Sequence, residues 1–384
     1  MTDRQILYLA LALIYLSECF IWVSSKGIAF RKSVTEWGVV FSSTLFGNES
    51  GGLALAYPLP FLGRFYMTYL MPVSFSPEGI LNVSIETLTR KIPKVPIDQK
   101  FYAYSEIDAV ENKGNVIWIN NEPFCKCGSV TQATSLVTAI QHLLKQKDKA
   151  KQIDKYNCAL LNNDKIKELI KVFDEKTDKL SIICNVQFFV SFCIAPALVY
   201  VFGSAFIVWS CIYLIISNLC IITMFNIVHK YLLPEHAKER INDSFKMFFC
   251  PPLSIRAVDI ISLPYLSNYH PLAVAYNTID EARFQVFAKQ ALLSFNFPNE
   301  LIKDMEFNHV LQWHLDSMNS SVSKYLSEVG LDTKKMNDAP ERSSDTNSFC
   351  PRCHTQFTLE NGQCSECTGV MLIGYSGAED ANKQ

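Results

Sequence analysis

Residues 181–228 read SIICNVQFFVSFCIAPALVYVFGSAFIVWSCIYLIISNLCIITMFNIV, without one Asp, Glu, Lys, Arg or His. As a single helix these 48 residues would be about 72 Å long at about 1.5 Å per residue, more than twice a hydrocarbon core of about 30 Å. Gly203 and Ser204 lie near the middle, so the stretch reads as two transmembrane helices, 182–202 and 206–228, joined by a tight hairpin. Pro196 is expected to bend the first of them. The competing reading, a core hairpin of a large soluble protein, would need a less polar remainder to enclose it.

Composition agrees with a membrane location. The 384 residues include 49% hydrophobic and only 19% charged ones. With 35 Lys and Arg against 37 Asp and Glu, there is no global field for nucleic acid. A third span is expected at 6–23, preceded by Asp3-Arg4 and followed by Lys26, Arg31 and Lys32, which puts the N-terminus outside. Glu18 and the absence of a basic start argue for an anchor rather than a cleaved signal; Glu18 is close enough to the inner end to snorkel. The hairpin agrees, because Lys165, Lys167, Lys171, Lys176 and Lys179 precede it, Lys230, Lys238 and Arg240 follow it, and its connection is uncharged. The expectation is a multi-pass protein of the bacterial inner membrane with most of the chain cytoplasmic. The Asn-x-Ser triplets at Asn48 and Asn82 are then chance matches, and the 13 cysteines leave no paired extracellular framework.

Residues 24–70 read as a membrane-proximal segment too broken by Pro58, Pro60 and Arg64 to span. From 71 the period becomes two: hairpins are expected at 72–88, around Pro77-Glu78-Gly79, and at 101–120, around 111–114, with a further strand at 122–127. Ser129 with Gln132 makes a capping box for a helix whose apolar face is Ala133, Leu136, Val137, Ile140, Leu143 and Leu144. By order of elements, residues 71–147 resemble the pleckstrin-homology-like domains of bacterial membrane proteins, with fewer strands than the seven such a domain implies. A Lys-rich helix is expected at 148–180, continuous with the one before it, and a helical region at 234–329 with Pro234 at its start and Ser254 capping a second helix. The fold class is therefore α+β: three transmembrane helices, a strand-rich domain, a helical region and one more module beyond a polar linker at 330–348.

That module, 349–375, precedes a short tail at 376–384. Cys350-Pro-Arg-Cys353 and Cys364-Ser-Glu-Cys367 each present two thiolates from one turn, and two such turns complete a tetrahedral site. Phe357 and Leu359 suggest a strand between them and Asn361-Gly362 its hairpin. The segment resembles a zinc ribbon, which implies a structural Zn2+ held by Cys350, Cys353, Cys364 and Cys367. Four sulfurs leave no open position, and His354 has no place among them. A redox pair is the competitor, weakened by two pairs in register. Arg352 is the one firm cation of the module, against Glu360 and Glu366, so protein contact is favoured over nucleic acid.

No reaction is specified. There is no Gly-rich phosphate loop, nucleophile elbow or acid pair in a known frame. Cys125 and Cys127 share a strand face but lack further ligands; His309 with His314, and His229 with His236, fail the helical ligand spacing. Arg90, Lys91, Lys94 and Lys100 make a basic stretch able to meet an anionic surface or simply be solvated. The expected function is a non-enzymatic membrane adaptor or assembly subunit with membrane lipid and other proteins as partners and no identified small-molecule substrate. The alternative is a membrane enzyme acting on lipid or peptide, its site around Asp259, His270, Asp280 and Arg283.

Overall fold

A computed structural model describes residues 72–82, 100–203, 205–249, 251–295, 306–365, 367 and 370–375, with the short pieces 2, 5–6, 28–30, 41–42 and 65–67. Beyond the helical pair Gln5 and Ile6, the anchor expected at 6–23 lies outside the described residues, as do Glu18, Asn48, Arg90, Lys91 and Lys94. The chain divides into two compact units, each made of two separate stretches: residues 1–68 with 164–267, and 69–163 with 268–384. The region expected to be one helical block, 234–329, is thus shared between them.

In chain order, β1 (Ile28–Phe30), β2 (Phe41–Ser42) and β3 (Phe65–Met67) form a small antiparallel sheet of the first unit, with β1 central. The second unit begins with β4 (Ser74–Phe75), β5 (Gly79–Leu81) and β6 (Phe101–Ala103), a second antiparallel sheet. Ser74 faces Leu81 and Phe75 faces Ile80, the hairpin expected around Pro77-Glu78-Gly79. A third sheet holds β7 (Val110–Lys113), β8 (Val116–Ile119) and β9 (Glu122–Lys126). The strand expected at 101–110 is broken by a 3-10 turn at Tyr104–Glu106, where Tyr104 turns inward and its hydroxyl donates to the Ser76 carbonyl at 3.0 Å. That hydrogen bond ties the turn back to the end of β4, and the next sheet starts only at Val110, which the period of two does not reveal.

Helix α1 (Val130–Lys145) starts as expected: Ser129 Oγ accepts from Gln132 N–H at 3.0 Å, while the Gln132 carboxamide reaches back to Gly128 N–H at 2.8 Å. Its buried face includes Ala133, Leu136, Val137, Ile140 and Leu143. The expected continuation fails at Gln146, because Asp148 caps a new helix, α2 (Lys149–Leu160), through Lys151 N–H. The chain turns again before α3 (Asn163–Phe189).

In the first unit α3 continues through a π turn at Val190–Ile194 into α4 (Ala195–Phe202). The Ala195 N–H reaches back five residues to the Val190 carbonyl. Proline at 196 has no N–H for the ladder, and the widened turn is where the helix accommodates it. Gly203 stops the helix at φ 87°, a left-handed conformation open to glycine, and α5 (Ala205–Leu232) starts at once. The tight turn is where the sequence puts it. The arms run antiparallel: the Lys176 ammonium lies 5.0 Å from the Tyr231 ring, the two residues equally far from the turn.

Helices α6 (Ala237–Phe249), α7 (Pro251–Ser254) and α8 (Ala257–Leu266) complete this unit. Pro234 precedes α6 by a turn rather than opening it, and Ser254 closes α7, its hydroxyl donating to the Pro251 carbonyl, instead of capping α8. The buried side chains of the arms form narrow stripes, Leu180, Cys184 and Phe188 on one and Ile221, Phe225 and Val228 on the other. Most of the apolar surface faces outward, including Ile182, Val186, Trp209, Ile215, Ile216 and Ile227. Among the described residues one helical segment, Val208–Leu232, is long and apolar enough to cross a membrane.

The second unit resumes with α9 (Pro271–Thr278), α10 (Glu281–Leu293), α11 (Asn308–Glu328) and the short α12 (Thr333–Asn337). Helix α11 is its spine. It packs on β4 and β5 and against α2, where Asn157 Nδ2 donates to Ser317 Oγ at 2.9 Å. At the far end of α11 the Tyr325 hydroxyl meets Asn163 Oδ1 at 2.7 Å. The last strands, β10 (Ser348–Phe349), β11 (Gln356–Phe357) and β12 (Ile373–Gly374), make a sheet with β10 central.

Candidate metal centre

The four cysteines of the last module meet. Strand β10 delivers Cys350 and Cys353 on a turn in which His354 N–H donates to the Cys350 carbonyl at 2.9 Å. His354 takes a positive φ of 57° there, and its ring lies edge-on to Phe349, 5.9 Å between centroids. The second turn is closed by Cys364 N–H to the Val370 carbonyl at 2.8 Å and Val370 N–H to the Cys367 carbonyl at 3.2 Å. Between the turns the strand is shorter than expected: β11 ends at Phe357, and Leu359 is exposed.

All four sulfurs lie within 4.8 Å of one another, and Cys353 Sγ is 3.7 Å from Cys364 Sγ. Around a tetrahedral zinc with bonds of about 2.3 Å, neighbouring sulfurs stand about 3.8 Å apart. The spacing suits a metal ion such as zinc and is far too long for a disulfide of about 2.05 Å. Backbone donors already point at the sulfurs: Arg352 N–H to Cys350 Sγ at 3.4 Å and Cys367 N–H to Cys364 Sγ at 3.3 Å. Hydrogen bonds from Cys350 and Cys367 hold the Cys353 thiol well below its ordinary range, and the bond to Cys353 pushes Cys350 up to about 12. A cation among them favours the thiolate on all four. Sequence reasoning missed the packing behind this cluster, where Val370 and Leu372 are buried with the cysteines. Their spacing of two after Cys367 was the available signal. It also missed that Arg352 is buried, so the module's one firm cation is not offered to a phosphate backbone.

The other candidates do local work. His270 caps α9, its Nδ1 accepting from Leu272 N–H at 3.2 Å. Asp280 caps α10 by accepting from Arg283 N–H and pairs with the Arg283 guanidinium at 3.2 Å. Asp259 pairs with Arg256 at 3.0 Å, both buried. His309 lies 3.1 Å from Glu78, and His314 accepts from Phe75 N–H at 3.4 Å. His229 and His236 do approach, rings 6.5 Å apart, but among the described residues no third ligand joins them. Cys125 and Cys127 are hydrogen-bonded to each other, which with burial raises the Cys125 thiol. Lys100 donates to the Pro123 carbonyl at 3.2 Å, and Asn82 bridges Lys100 N–H and the Phe124 carbonyl, so neither side chain is idle.

The chain matches no family model, no curated protein and no solved structure.

Proposed function

We propose that the chain is a multi-pass membrane adaptor or assembly subunit. The hairpin 182–202 and 206–228 and the anchor 6–23 cross the bilayer with the N-terminus outside, and the remaining parts are cytoplasmic. The observation that carries the membrane part is the outward-facing apolar surface of the hairpin: in water such a surface opposes solubility, whereas lipid tails are its natural solvent. Cys350, Cys353, Cys364 and Cys367 hold one structural Zn2+, and the ribbon they stabilise docks another protein. A closed four-sulfur set has no position for substrate, which favours contact over catalysis. Among the described residues, six strands in two sheets followed by an amphipathic helix favour the likeness of 71–147 to pleckstrin-homology-like domains, for binding lipid or protein.

Affinity capture of the full chain and of a chain ending at 347 tests the adaptor role. Both should remain in the membrane fraction, and the truncated chain should lose a reproducible protein partner. Identical partner sets would remove the ribbon from the proposed role.

A further inference from the structure

Helix α6 exposes large apolar side chains and turns polar contacts inward. On the side packed against α5, Ser244 Oγ accepts from Asn226 Nδ2 at 2.8 Å and the Met247 carbonyl accepts from Asn218 Nδ2 at 3.2 Å. On the exposed side stand Ile241, Phe245, Phe248 and Phe249, at spacings of one helical face and bordered by exposed Asn242 and Lys246, while Met247 is buried inward. All four are more than half exposed, Phe249 at 72%. A helix on a water-soluble surface turns such residues inward and its Ser and Asn contacts outward. The reverse arrangement satisfies polar groups within protein and offers side chains to lipid, as a low-dielectric surrounding requires.

Position says which surrounding this is. The contacts Asn226 to Ser244 and Asn218 to Met247 show α6 running back antiparallel along α5. Asn218 is 14 residues before Leu232, so Met247 lies about 21 Å along α5 from its end at about 1.5 Å per residue. Val208–Leu232 measures about 37 Å and the hydrocarbon about 30 Å. Even if all the excess length lay at the Leu232 end, Met247 would be about 14 Å deep by the Asn218 contact and about 6 Å by the Asn226–Ser244 contact three residues earlier on α6. At 13 residues, about 20 Å, α6 is too short to cross. The chain turns at Pro251–Ser254, where Cys184 Sγ meets the Ser254 carbonyl at 3.4 Å near the inner end of the 182–202 arm, and α8, packed on β3 and α5, carries it out of the bilayer until the Tyr265 hydroxyl meets the Leu169 carbonyl. The charges it carries inward are neutralised in pairs, Lys246 with Asp243 at 2.7 Å and Arg256 with Asp259 at 3.0 Å. Lys238, exposed near the start of α6, is left for anionic headgroups.

From this we propose that α6 and α7 are a re-entrant pair that enters one leaflet from the side where α5 emerges, and that α8 returns the chain to the same side. Lipid acyl chains cover Ile241, Phe245, Phe248 and Phe249. The proposal rests on the hairpin crossing the bilayer, whose α5 likewise exposes Ile215, Ile216 and Ile227.

Full-length protein carrying an environment-sensitive fluorescent amino acid at 248, 216 or 335, one site per sample, is reconstituted in vesicles containing acyl-chain nitroxide lipids. Position 248 should be quenched by the nitroxide like 216, and should be at least threefold less quenched by iodide than 335. If 216 meets the nitroxide but 248 is quenched by iodide like 335, the re-entrant pair is wrong while the hairpin stands. Shielding of 248 from both quenchers would mean that protein covers the face, which also overturns it. If 216 itself fails to meet the nitroxide, the membrane reading beneath the proposal fails.

Discussion

Replacing Cys367 by Ser removes one of four sulfurs from a buried cluster without changing its size greatly. Structural zinc in small modules contributes about 10–16 kcal/mol at neutral pH, so a quarter of that is about 3 kcal/mol, or about a hundredfold in zinc affinity. Among the described residues the apolar side chains buried beside the cluster are few, Phe349, Val370 and Leu372. At about 1.5–3 kcal/mol each they amount to less than the metal supplies. The Cys367→Ser chain should therefore bind zinc about a hundredfold more weakly in competition with a chromophoric chelator, and its ribbon should become the first site of proteolysis. Wild type should hold one zinc per chain. Cys158→Ser, at an exposed free thiol, is the control and should match wild type. Equal affinity in Cys367→Ser and wild type, or an equal loss in the control, would refute a site made of these four sulfurs.

Gly79→Ala should open the β4–β5–β6 sheet, because a Cβ there would press into the Tyr102 carbonyl and come within 2.7 Å of the Phe101 ring. Thermal unfolding should report a loss of about 1–3 kcal/mol, and an unchanged midpoint would contradict the packing. His314 and His270 are lowered by burial to about 4 and about 3. The folded state therefore prefers them neutral, so stability is full above about pH 6.5 and falls as pH drops toward those values, by up to about 1.4 kcal/mol per unit for each. Urea midpoints between pH 7.5 and 5.5 should show that slope, and His314→Gln should flatten it; an unaltered slope would sink the assignment. Asn226→Ala removes the hydrogen bond between α5 and α6 and should lower the midpoint of thermal unfolding in detergent by an amount corresponding to about 0.6–1.7 kcal/mol, whereas no effect would detach the two helices.

Local chemistry was the most legible part of the sequence. The turn at Gly203, the cap at Ser129 and the convergence of four cysteines each depend on a few neighbouring residues whose geometry leaves little choice. What stayed hidden depends on contacts between distant segments. No pattern in 234–329 marks Ser267 as the last residue of one unit, because the division is set by which face each helix buries. The approach of His229 and His236 depends on the turn at Leu233–His236, invisible to helical spacing. The outward face of α6 escaped for another reason: amphipathicity reveals a stripe but not whether protein or lipid will cover it.

The central claim is that the hairpin crosses a bilayer. A sidedness reporter placed after Gln384, within the break at Gln146–Asp148, or at the Gly203 turn tests it most directly. The first two should report the cytoplasm and the third the outside; all three on one side would contradict the account.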